Sequence, residues 1–133
     1  MSLVVPNAGE LKLLEYMVNK TSTADLILHL YSNNQSLVEG TVLSNLTEVT
    51  GDDYVDQTLT GNDWTAAMVA TDTATATHSE KTFSMTAGKT VYGYYVTNNA
   101  KDVLLWAEEF SGAPFVLPSG GGTKAITAKV TLD

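Results

Sequence analysis

Ala24-Asp25-Leu26-Ile27-Leu28-His29-Leu30-Tyr31, residues 24 to 31, decides the fold, because here the hydrophobic period changes from that of a helix to two. Leu26, Leu28 and Leu30 point to one side and Ile27, His29 and Tyr31 to the other, the alternation of a β-strand. Upstream, Gly9 to Lys20 is the one stretch with a clear helical period. At about 100° per residue, Leu11, Leu13, Leu14, Met17 and Val18 share a sector, and Lys12, Glu15, Tyr16, Asn19 and Lys20 fill the other. This predicts one amphipathic helix, with Asn7 as N-cap and Glu10 placed as in a capping box. Its apolar sector needs cover. A free helix of this length is marginal in water, so it is expected to pack on the chain's own β-structure, with Leu14→Asp lowering the melting temperature; the alternative is an attachment element, for which the variant would melt normally and lose binding.

Downstream, turn signals punctuate strand-like runs. Residues Ser32 to Asp53 are polar, with scattered anchors at Leu37, Val42, Leu43, Leu46 and Val49, and read as a long ordered loop. A weak strand at Tyr54 to Leu59 and another at Trp64 to Val69 follow. Then come Thr75 to Met85 and Thr90 to Thr97, separated by Ala87-Gly88-Lys89. Val91-Tyr92-Gly93-Tyr94-Tyr95-Val96 is apolar on both faces, which suits a central strand covered on both sides. Asn98 to Asp102 reads as a hairpin loop into Val103 to Phe110. Phe115 to Leu117 is a short strand. Thr123 to Leu132 ends the series, with Ile126, Ala128, Val130 and Leu132 inward and Thr127, Lys129 and Thr131 outward. Strands at spacings of roughly ten residues predict an all-β fold, an antiparallel, jelly-roll-like β-sandwich. Residues 1–133 are read as one domain, with 1–20 as an N-terminal arm and helix.

Composition narrows the function. The chain of 133 residues has fifteen acidic residues against seven lysines, no arginine, no cysteine and a net charge of −8. Nucleic-acid and phosphate recognition depend on clustered Lys and Arg, so no nucleic-acid partner is expected. Absence of cysteine excludes disulfides, thiolate metal sites and a cysteine nucleophile. The start, Met1 to Pro6, lacks a basic segment followed by an apolar core, and the longest apolar run is Val103 to Ala107. Neither a signal peptide nor a membrane partner is expected, and synthesis in a cytoplasm is. Nineteen threonines, with Thr71, Thr73, Thr75 and Thr77 in alternation, suit strands that face water.

No constellation in the sequence commits to chemistry, and no catalytic, cofactor-binding or metal-ligating residue is assigned. His29 and His78 sit in predicted strands without metal-ligand spacing and read as satisfied strand residues. Glu108 and Glu109 are adjacent, so a strand sends them to opposite faces, which rules them out as a cooperating carboxylate pair. Glu108 shares a face with Trp106 and Phe110. It reads as tied to backbone donors or to a lysine such as Lys81, against the alternative of an acid with a raised pKa. Asp52, Asp53 and Asp56 cluster oxygen ligands of the kind calcium takes, but off EF-hand spacing, and read as a solvated turn. Gly120-Gly121-Gly122 lacks the Lys and Ser/Thr of a phosphate loop and reads as a hairpin turn. Tyr92, Tyr94, Tyr95 and Trp106 fit a core, with a sugar-binding surface as the alternative.

The layout resembles small virion structural proteins of tailed bacteriophages, many from marine and cyanobacterial hosts. The resemblance runs through Val5-Pro6-Asn7-x-Gly9-Glu10 before Leu13-Leu14, then Leu26-x-Leu28-x-Leu30-Tyr31-Ser32-Asn33-Asn34. It continues through residues 91–96, Leu105-Trp106-Ala107-Glu108-x-Phe110, and an alternating terminal strand ending Leu132-Asp133. The usual Gly-Asp turn before that strand is replaced here by Gly120-Gly121-Gly122-Thr123. What the resemblance implies is a non-enzymatic subunit of the virion, with no cofactor and no catalytic residue. It would be a capsid decoration (cement) protein that binds the major capsid protein and itself, as a trimer. The alternative is a tail-fibre or receptor-binding subunit recognising a host glycan. From another class, a glycan hydrolase is the competing reading.

Overall fold

Residues 3–17, 20, 24–71 and 73–132 are described by the computed structural model. In chain order they form β1 (Leu3–Val4), α1 (Asn7–Met17), β2 (Leu26–Tyr31), β3 (Gln57–Leu59), β4 (Trp64–Ala70), β5 (Thr73–His78) and β6 (Lys81–Met85). There follow β7 (Thr90–Val91), β8 (Gly93–Thr97), β9 (Leu104–Glu109), β10 (Phe115–Val116), β11 (Gly122–Ile126) and β12 (Lys129–Leu132). Every pairing is antiparallel. The fold is therefore all-β with one N-terminal helix, as the period change at residue 24 predicts.

The main sheet runs β1-β9-β8-β2-β3. The two-faced apolar run lands at its centre, and all five residues of β8 are buried. One face carries Leu28, Leu30, Tyr94, Val96 and Trp106 against Phe83, Met85, Val91, Leu117, Ile126 and Ala128 of the second layer. On the opposite face Tyr31, Tyr95, Leu104 and Ala107 pack under Leu37, Leu43 and Leu46. The polar stretch 32–53 is thus a cover whose few leucines make the contacts.

The second layer is a ribbon. β5 and β6 pair in succession with β12 and β11, and the break is bridged by the His78 N–H donating to the Ala128 carbonyl. The long predicted strands at 75–85 and 123–132 are each divided there. The inward pattern of the last strand holds for Ile126 and Ala128, which are buried, and fails at Leu132, 67% exposed. That end of the ribbon runs past the main sheet. The Gly120 to Gly122 turn closes through Gly121 N–H to Pro118 O, but it is no hairpin, since β10 pairs with β7 and β11 with β6.

The helix departs most from expectation. Its first hydrogen-bonded acceptor is the Pro6 carbonyl, taking the Glu10 N–H, while the Asn7 N–H goes to Glu39 O, so Asn7 lies inside the helix and not at its cap. Gly9 is buried against β9, where an added Cβ would lie 2.1 Å from Leu105 O. Leu13 and Tyr16, on the same side as Gly9, are half-buried. Leu11, Leu14 and Met17 therefore turn away from the sheet, at 61%, 55% and 74% exposure. Val18 lies outside the described residues. The contact is set by how closely backbone can approach at Gly9, which outweighs the apolar count of the other face. Gly9→Ala is expected to lower the melting temperature by several degrees, although Ala is the better helix former by ~1 kcal/mol. A rise on thermal denaturation would contradict this seating.

Candidate functional site

The residues singled out in sequence fall into separate places. Glu108, half-buried on β9, faces the Tyr94 phenol, whose pKa is raised by burial first and then by Glu108. Lys81 is on β6, paired with Ile126. Both histidines are buried and satisfied. His78 directs Nδ1 to Ser79 O at 2.8 Å and Nε2 to Thr60 O at 3.2 Å, with Trp64 edge-on at 5.0 Å. The three aspartates do not act together. Asp52 and Asp53 adopt left-handed φ of 53° and 66° in a turn, and Asp52 pairs with Lys89, which also donates to Thr50 O at 2.8 Å.

Asp56 joins a different group, which sequence spacing could not reveal because its members come from three regions of the chain. His29 on β2 places Nδ1 2.7 Å from Glu48 Oε2 and 3.8 Å from Asp56 Oδ2, and Nε2 2.8 Å from Thr97 Oγ1. Tyr54 donates to the same Glu48 oxygen at 2.9 Å and accepts the Leu30 N–H. Thr97 spends its hydroxyl proton on Asn98 O. Both ring nitrogens of His29 therefore lie within hydrogen-bond distance of oxygen atoms. Its ring stacks on Tyr95 at 4.6 Å. Burial alone would raise the Glu48 pKa, but His29, then Tyr54 and Lys101, bring it below its ordinary value. His29, Glu48 and Asp56 offer three atoms within 4.8 Å of one another, a donor set open to a divalent cation. Lys101 Nζ, 2.7 Å from Asp56, already supplies the cationic partner there. This group is a closed ion network that ties the 48–56 segment to the sheet.

The aromatics form core: Tyr94, Tyr95 and Trp106 are buried and Tyr92 is half-buried, and all eleven aromatic side chains of the chain are at least partly covered. What is exposed is aliphatic. Leu11, Leu14 and Met17 of α1 face outward, and Leu132 lies beside them on β12. Between α1 and β12 runs a groove of about 570 Å³ lined by Val5, Leu13, Leu14, Met17, Val130 and Leu132, with Glu10 the ionisable side chain in its wall. On the other side of the same three-stranded sheet, ordered β12-β5-β4, every residue of β4 from Thr65 to Ala70 is exposed, including Met68 at 62% and Val69 at 65%. Alternate residues of a strand face opposite sides, so this arm is bare on both.

No family model matches the chain. No curated protein and no solved structure matches it either.

Proposed function

We propose that this chain is a non-enzymatic structural subunit of a tailed-bacteriophage virion. In this reading it is a head decoration (cement) protein, made in the bacterial cytoplasm, that binds the major capsid protein and associates with itself as a trimer. The observation that carries the reading is the pairing of a bare apolar helix stripe with a bare edge strand, β4, in a chain of net charge −8. Exposed apolar patches of this kind mark protein contact surfaces. The resemblance in layout supplies the particle. A tail-fibre subunit reading a host glycan has less to rest on, because a sugar platform needs exposed aromatic rings and these are in the core or partly covered.

Cryo-electron microscopy of particles of the encoding phage tests it in one step, with density for this fold expected on the outer face of the shell. Density on the tail fibre would transfer the chain to the alternative, and absence from the particle would end both. Glycosidase, esterase and peptidase assays on the purified protein are expected to be blank. A turnover abolished by Glu108→Gln or His78→Ala would overturn the non-enzymatic reading.

A further inference from the structure

We propose that the β4–β5 hairpin of one copy seats in the α1–β12 groove of the next, with Met68 entering between Leu14, Met17 and Leu132. This rests on the self-association in the reading above and names the surface that performs it.

Four observations select a second copy as the occupant. First, β4 is a free edge of its sheet, and its seven residues include no Lys, Pro or charge of the kind that guards edge strands against pairing. An edge like this is made for another polypeptide backbone, and small residues at Ala66, Ala67 and Ala70 let one come close. Second, the groove has the matching chemistry, aliphatic walls around a volume that takes side chains of the size of Met and Val. Third, two copies at −8 each repel, so contact is favoured where acid is sparse, and strands β4, β5 and β12 contain no Asp or Glu, leaving Glu10 as the acid in the groove wall. Fourth, projection and groove flank the same end of one sheet, since Ala74 pairs with Met68 on one side and Leu132 on the other. A head-to-tail contact of this kind closes into a ring of three when each copy is turned by a third of a rotation from the last.

Wild-type protein at micromolar concentration is expected to scatter light as three times the 14.2 kDa chain mass. Met68→Asp and Leu14→Asp should each give folded single chains that melt at one common temperature, below that of the assembled wild type, because both side chains are exposed in the free subunit and only the assembly is lost. Mixing the two variants should restore a two-chain species, since the first keeps an intact groove and the second an intact hairpin. The cysteine-free background allows a second measurement. Met68→Cys mixed with Leu132→Cys should form a disulfide-linked dimer on oxidation that neither variant forms alone. Within one chain the two positions lie on strands either side of β5, roughly 10 Å apart, too far to bridge. Assembly that persists in both Asp variants, or Met68→Cys linking to itself, overturns this interface and leaves self-association standing. A monomeric wild type overturns both.

Discussion

Gly93→Ala is expected to lower the melting temperature by roughly 10 °C or more, from one added methyl group. Gly93 sits at the start of the central strand β8, where a Cβ would lie 2.2 Å from Glu108 O on the neighbouring β9 and 2.6 Å from Tyr31 Oη. The first obstacle is backbone of the sheet itself and the second a fully buried ring, so neither can swing aside. Overpacking of a well-filled interior costs about 1–3 kcal/mol and more where backbone must shift. For a domain of this size each kcal/mol moves the melting temperature by about 4 °C. Gly40→Ala is the matched control, since a Cβ there meets nothing within 4 Å. Circular-dichroism melts of the two variants compare them directly. Equal melting temperatures would mean that β8 and β9 do not approach as described.

Gly93 also marks where sequence reading stops. The run 91–96 is legible as a central strand because alternate positions on both faces are apolar, and β8 is central and wholly buried. Why a glycine interrupts that run is not legible, because the reason is a carbonyl fifteen residues away on another strand. Gly9 repeats the lesson with larger consequences. Periodicity identifies which helix residues are apolar, but which face docks is decided by the closest backbone approach, and that points Leu11, Leu14 and Met17 outward. The apolar stripe is thus legible in the sequence, while its outward direction is not. The bare hairpin was legible as a strand at 64–69, while its lack of cover depends on how far the ribbon overshoots the main sheet. The aspartates at 52, 53 and 56 look like one cluster in sequence, and a left-handed turn separates them in space.

Removing His29 is the second large effect. His29→Ala leaves the Glu48 and Asp56 carboxylates facing each other with Lys101 alone, and withdraws the ring that stacks on Tyr95. Losing a hydrogen bond to a charged group costs about 1.5–3 kcal/mol, a sizeable part of a domain's stability of about 5–15 kcal/mol. Acid should reach the same network from the other side. The folded pKa of Glu48 is depressed, so its contribution is present above the unfolded value near 4.5 and is lost as pH falls through the folded value. Protonating Glu48 removes the acceptor that both His29 and Tyr54 address. Stability should therefore fall below about pH 4.5 more steeply in the wild type than in Glu48→Gln, which cannot titrate at that position. Urea denaturation at steps from pH 7 to pH 3 measures both curves. The variant starts lower at pH 7 and converges on the wild type in acid if the network is as described. Parallel curves would show that Glu48 is not held by His29 in the folded chain.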